Sequence, residues 1–362
     1  MPAMSRCLML LLVLLLAGCA GVGEKPVFSL DVDATHAKRL VFPSEEDGEV
    51  PRYLYLGHLY GDRNINDPES LRSGPLDYVA RFLEIIKGEE PPREIYRPQA
   101  GAVDSLGRIL VADRGNASVF VFDERGATLE TWQQADGGRK FVSPVGVAIG
   151  QNGVVLVTDS ELAIVARLNA KGDSVGPIGR GHLTRPTGIA YEQETQRIFV
   201  VDTADHQIKM FDPDGNLLDV WGARGDGPGE FNYPTYLAVQ GGKLYVADTM
   251  NARIQVLSSK NGAHLASVGA LGMYVGNMVR PKGVAVDGEG NLYVVESYYD
   301  HLLVFDRRGN YLMAIGGVGS EPGQFHLPSA VWVDGRNRVF VADTLNSRVS
   351  VFQFLGGGAE NE

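Results

Sequence analysis

Residues 234–258 read PTYLAVQGGKLYVADTMNARIQVLS. A proline opens the stretch, and the apolar runs YLAV, LYVAD and IQVL follow in succession. Runs this short, rich in β-branched and aromatic residues, read as strands rather than helices. The pattern recurs along the chain. Pro98, Pro144, Pro186, Pro234, Pro281 and Pro328 lie at intervals of 46, 42, 48, 47 and 47 residues. After them come GAVD, GVAI, GIAY, YLAV, GVAV and AVWV, then ILVAD, VLVTD, IFVVD, LYVAD, LYVVE and VFVAD. Third strands follow, such as VFVFD, IKMFD and LLVFD, and a fourth, such as LLDVWG or YLMAIG. The connecting DPDGN, DGEGN and DRRGN carry the residues that tight turns need.

Four strands repeated about every 47 residues describe one propeller blade per unit. A single blade cannot bury both faces of its sheet, so the units must stack around an axis. The expected fold is therefore all-β, a six-bladed propeller over 51–355 with blades starting near 98, 144, 186, 234, 281 and 328, and a short tail at 356–362. Blade 6 shows only three strands before the chain reaches Phe354-Leu355. Residues 52–57, RYLYLG, have the shape of a closing fourth strand, and pairing them with blade 6 removes an exposed edge. A seven-bladed register is the alternative.

These repeats resemble those of the NHL family. LYVADTMNARI at 244–254 and VFVADTLNSRV at 339–349 carry that family's pattern almost whole, and the likeness runs from about residue 96 to 354. The resemblance implies the propeller but leaves function open, because such propellers include binding modules, scaffolds and enzymes.

The N-terminal end has a different character. Arg6 precedes an unbroken apolar run, Leu8 to Leu16, that ends in Leu16-Ala17-Gly18-Cys19. The run is too short to span a bilayer comfortably, which takes roughly 20 apolar residues. LAGC resembles the lipobox of bacterial lipoproteins, so 1–18 is expected to be a signal peptide and Cys19 the lipidated first residue of the mature chain. By the same resemblance, Ala20 in place of Asp favours the outer membrane over the inner. Residues 19–50 read as a tether and lead-in, and 75–88 as a short amphipathic helix with Val79, Phe82, Leu83 and Ile86 on one face.

Composition narrows the function classes. Lys+Arg 33 against Asp+Glu 44 leaves a formal charge of −11, so no nucleic-acid partner is expected. Cys7 and Cys19 are the two cysteines, which excludes a disulfide framework or thiolate metal site in the folded part. No CxxCH is present, so the chain binds no c-type haem.

Candidates for chemistry are few. Asp113, Asp159, Asp202, Asp248, Glu296 and Asp343 end the second strands, and one acid per blade reads as turn capping rather than catalysis. Arg253 and Arg348 of the same motif read as links between blades. Enzymes of this architecture, amidating lyases and gluconolactonase-like hydrolases, hold a metal at the channel. The corresponding positions here are Gln99, Val145, Thr187, Thr235, Lys282 and Ser329, with no acid and no imidazole among them. No metal or other cofactor is therefore expected. His182, His206, His301 and His326 fall in loops on one face and leave a metal-dependent lyase or hydrolase as the alternative.

The repeat departs from itself most between blades 4 and 5. GALGMYVGNMVRP replaces the Gly-rich linker seen near 222–231 and 316–325, and Tyr298-Tyr299-Asp300-His301 replaces the Asn-x-Arg loop. Met273, Tyr274, Met278, Tyr298, Tyr299 and His301 are thus the expected protein-binding residues. The function expected is that of a membrane-anchored, non-enzymatic scaffold or assembly factor on the cell envelope. Propeller lipoproteins of similar appearance are often encoded beside multihaem cytochromes, which implies an association with such systems.

Overall fold

The computed structural model describes residues 25–30, 40–45, 48–66 and 92–356. The signal peptide, Cys19, the helix expected over 75–88 and the last residues of the tail lie outside the described residues.

Each blade is an antiparallel sheet built in chain order. In blade 1, Pro98–Val103, Ile109–Asp113, Ser118–Asp123 and Thr128–Trp132 pair successively. Blades 3, 4 and 5 repeat the plan, from Pro186–Glu192 to Leu217–Trp221, from Leu237–Gln240 to His264–Val268, and from Pro281–Val286 to Tyr311–Gly316. The middle strands are buried along almost their whole length rather than at alternate positions, because both faces of each sheet are covered. Ile109–Asp113 and Val155–Asp159 are buried throughout. Six hydrophobic clusters fill the six junctions between neighbouring blades, including the junction of blade 6 with blade 1. The ring is closed.

Innermost strands approach one another so closely that side chains are limited. A Cβ at Gly188 would stand 2.6 Å from the Cα of Tyr236, and one at Gly283 would stand 2.5 Å from the Cα of Ala330. Between second and third strands every blade turns through one residue with positive φ: Ala117, Ala163, His206, Ala252, Asp300 and Ser347. That shared turn gives all six loops one direction.

Blade 6 is assembled from both parts of the chain. Pro328–Val333, Arg338–Asp343 and Arg348–Phe354 are followed by Tyr53–Leu59, with Val349 opposite Leu59 and Phe354 opposite Tyr53. The strand expected at 52–57 is thus found at Tyr53–Leu59. Val41–Phe42 adds a fifth strand outside it, and Phe42 packs edge-on against Phe352 with centroids 5.9 Å apart. Val27–Phe28 pairs with Ile65–Asn66, and Phe28 lies against Phe122. Part of the segment read as a tether is therefore packed onto the ring. Two-residue strands leave no periodicity for a sequence to display.

Blade 2 has three regular strands, the last being Ile164–Leu168. Its outer edge is kept by the isolated pairs Leu168–Ser174 and Val165–Ile178 alone. Pro177, which has no N–H to give, and the 42-residue spacing of this unit account for the shortfall.

Candidate functional site

Loops between second and third strands, and the linkers between blades, open on one end of the ring. This loop face gathers every candidate in the folded part.

The six strand-ending acids are all buried, and each accepts at least one backbone amide of the linker that enters its blade. Asp113 accepts from the amides of Tyr96 (2.5 Å), Arg97 (3.1 Å), Gly115 (2.7 Å) and Asn116 (3.1 Å). Glu296 accepts from Arg280 (2.6 Å) and Tyr299 (2.7 Å). Asp113, Asp159 and Glu296 also accept amides of the following turn, and Asp248 and Asp343 accept the side-chain amides of Asn251 and Asn346 there. These carboxylates thus staple linker to turn, which is a structural role. The neighbouring hydroxyl does something the capping reading missed. Ser160 donates to the Pro186 carbonyl (2.6 Å), Thr203 to that of Pro234 (2.7 Å) and Thr344 to that of Pro98 (2.9 Å), tying one blade to the next. Arg253 joins Asp248 to the carbonyl of Gly227, and Arg348 joins Asp343 to those of Ser320 and Gln324.

The linker from blade 4 to blade 5 keeps the backbone of its counterparts and changes the tip. The three segments GARGDGPGEF, GALGMYVGNM and GGVGSEPGQF begin at Gly222, Gly269 and Gly316 and have equal length. Their first turns pair alike, Arg224 with Phe231, Leu271 with Met278 and Val318 with Phe325. The amides of Phe231, Met278 and Phe325 donate to the carbonyls of Ala223 (2.8 Å), Ala270 (3.0 Å) and Gly317 (2.9 Å). Met278 is fully buried beside Gly269, as Phe231 and Phe325 are beside Gly222 and Gly316. The expectation that Met278 belongs to an exposed patch is therefore corrected: it is the buried plug of this linker. Met273 and Tyr274 are 86% and 84% exposed, and Leu271 and Val275 are exposed with them. Tyr298 is exposed and stands edge-on to the half-buried Tyr299, ring centroids 4.9 Å apart. His301 is half-buried, and burial holds its imidazole below the ordinary pKa.

The histidines do not assemble a cluster. His206 is buried, and its Nδ1 accepts the Tyr233 amide at 3.1 Å. Among the described residues, no three His, Cys, Asp or Glu side chains converge on one point.

At the channel, the strand-opening hydroxyls serve neighbouring blades. Thr187 donates to the Thr235 carbonyl (2.6 Å), Thr235 to that of Lys282 (3.1 Å) and Ser329 to that of Gln99 (2.7 Å). Below them Tyr236 closes the bore. It packs with Ala100, Val145 and Ala330, and its hydroxyl donates to the Gln99 carbonyl of blade 1, across the ring (3.2 Å). Burial raises its phenol above the ordinary range. The sequence held a signal for this plug: blades 1, 2, 3, 5 and 6 carry Ala100, Gly146, Gly188, Gly283 and Ala330 at that position.

Fold and face together define a closed six-bladed β-propeller whose turns and linkers share one loop end. Comparison with known families places it further. The model of a family described as a six-bladed β-propeller matches residues 187–258 and 279–361, and the NHL-repeat model matches 96–122. In fold and repeat type the chain is thus a six-bladed propeller built from NHL-like repeats. Protein brain tumor of Drosophila melanogaster is 28% identical over 129 residues, 35% of this chain and 12% of that protein. NHL repeat-containing protein 3 of Mus musculus is 28% identical over 186 residues, 46% of this chain and 53% of that one. The chain thus spans about half the length of the second relative and far less of the first. Among solved structures, a gluconolactonase from Xanthomonas campestris superposes with a TM-score of 0.56 at 16% identity, covering 72% of this chain and 86% of that one. Virginiamycin B lyase from Staphylococcus aureus gives 0.53 at 14%, covering 72% and 95%. At such identities the likeness is one of fold.

Proposed function

We propose that the protein is a non-enzymatic, lipid-anchored scaffold of the cell envelope that captures a protein partner with its loop face at blades 4 and 5. Cys19 carries the lipid in this reading, and Ala20 favours the outer membrane. The partner class is a component of a multihaem cytochrome system. The observation that carries the proposal is the Met273-Tyr274-Val275 tip. It is exposed although its linker keeps the length and buried plug of linkers whose tips are Asp-Gly-Pro and Ser-Glu-Pro. Exposed aromatic and Met side chains on a rigid backbone suit a protein interface.

Pull-down from native membranes with Tyr274→Ala/Tyr299→Ala tests it. A buried aromatic anchor is worth about 2 kcal/mol or more, so capture should weaken by roughly thirtyfold while the melting temperature holds. Undiminished capture by the folded variant moves the interface elsewhere. For the anchor, Cys19→Ala should yield a soluble or uncleaved form, and mass spectrometry finding an unmodified N-terminus at another residue overturns the lipid assignment.

A further inference from the structure

The residues that precede the blade-opening prolines form a ring around the channel mouth: Arg97, Ser143, Arg185, Tyr233, Arg280 and Leu327. Arginine occupies blades 1, 3 and 5, every second blade. Each arginine's backbone is fixed by a strand-ending acid, with amide distances of 3.1 Å for Arg97, 2.8 Å for Arg185 and 2.6 Å for Arg280. Their side chains are exposed, and none makes an ion pair among the described residues.

Two residues further along, past Pro281, stands Lys282, partly buried, with no hydrogen bond or ion pair among the described residues. Burial and the neighbouring Arg280 both hold its ammonium below the ordinary pKa. Other basic side chains buried on this face are matched: Lys209 meets Asp202 at 2.7 Å, and Arg348 meets Asp343 at 2.8 Å. A partly buried cation without a counter-charge is costly unless something supplies one. The channel around it is closed beneath by Tyr236. Tyr236, Ala100, Val145 and Ala330 make an apolar floor. The wall hydroxyls of Thr187, Thr235 and Ser329 have given their protons to carbonyls, and the acids Asp113, Asp202 and Glu296 behind the rim are taken up by amides. This leaves Lys282 and the arginine side chains as the unpaired charges of the mouth.

We propose that the channel mouth is a binding site for a small, multiply charged oxyanion, a polycarboxylate or a phosphate-bearing molecule, held by Lys282 below and by Arg97, Arg185 and Arg280 around it. Guanidinium groups match carboxylate and phosphate in a two-pronged fashion, and the apolar floor strengthens each charge contact. Three arginines spaced around an axis favour several negative charges over one. Against a formal charge of −11, a mouth with unpaired cations is a place such an anion would seek.

Calorimetric titration of the full-length protein with citrate and with inorganic pyrophosphate, at constant ionic strength and against a chloride control, tests the site. Saturable binding of one or both is expected, and the tighter of the two identifies the oxyanion. Lys282→Met should weaken binding at least tenfold. Arg97→Gln/Arg185→Gln, which alters exposed side chains alone, should weaken it severalfold and serves if the first variant folds poorly. Binding no stronger than the chloride control, or binding unchanged in either folded variant, overturns the proposal. Tighter binding of a single-stranded oligonucleotide than of either small anion also overturns it, in favour of a polymer on the whole face. Tyr274→Ala/Tyr299→Ala should bind the anion as the parent does, so this site and the protein interface can fail independently.

Discussion

Two linkers of equal length lie side by side on the loop face and behave differently. The one entering blade 4 is pinned from the following turn: Asn251 donates to the Gly225 carbonyl (2.8 Å), and Arg253 to those of Gly227 (2.9 Å) and Glu230 (3.2 Å). The one entering blade 5 has Tyr299 and His301 where those two anchors would stand, and its tip is apolar. Its base is nonetheless the same, with a buried plug, a first-turn pairing and a carboxylate staple. Base and tip are therefore separate specifications. The base belongs to the fold, and the tip is free to be spent on recognition.

Removing the plug breaks this comparison most severely. Met278→Ala empties a fully buried site, and Met→Ala in a core costs about 2–5 kcal/mol. Phe231→Ala and Phe325→Ala should cost at least as much, about 3–5 kcal/mol each. A Met278→Ala protein that unfolds in denaturant at the parental midpoint would show that the two bases are not equivalent.

The linker entering blade 6 sharpens the contrast through pH. Arg348, its anchor, also contacts His58 of the closing strand, Nη1 to Nε2 3.0 Å. Burial, with Arg348 adding, pushes His58 down to about 2. The folded state thus holds His58 neutral, while the unfolded chain protonates it near pH 6.5. This stability is present above about pH 6.5 and is lost as pH falls below it, by about 1.4 kcal/mol per unit and roughly 2 kcal/mol by pH 5. His58→Gln should flatten the decline of stability between pH 7 and pH 5. An equal decline in parent and variant removes His58 from the explanation.

The smallest effect tests the missing anchors directly. Tyr299→Asn/His301→Arg restores the motif of blades 4 and 6 in blade 5. A cap-like or charge-assisted hydrogen bond contributes about 1 kcal/mol, so a gain of about that size is expected. Hydrogen exchange in 271–277 should slow with it. Exchange that stays at the parental rate would mean that the tip is already held by its own turn, where Asn277 donates to the Tyr274 carbonyl at 2.9 Å.

The architecture was legible in the sequence because each blade buries both faces of its sheet. Strands such as ILVAD and VFVAD therefore announce themselves without alternation, and the prolines keep time. The closing strand was legible by subtraction, from the three strands of blade 6 and the spare RYLYLG. Met278 was misplaced because methionine suits a core as well as an interface, and side-chain identity alone does not decide between them. Comparison with Phe231 and Phe325 at the same place in equal-length linkers would have done so. The alternating arginines and the unmatched Lys282 needed the ring, because their meaning lies in what stands opposite them across the axis.

Blade 6 has a consequence in time. Ser350 and His58 touch although they are 292 residues apart in the chain. At about 5–20 residues per second, a ribosome needs roughly 15–60 s to add that many residues after His58 is made. Tyr53–Leu59 is among the first strands synthesised and waits longest for its partner, with the ladder edge of an unpaired strand open meanwhile. The ring cannot close until Arg348–Phe354 arrives, so this long-range ladder forms last. A chain halted within blade 6 would carry five stacked blades and a free strand, a species inclined to pair with another copy of itself before it can pair with its own end.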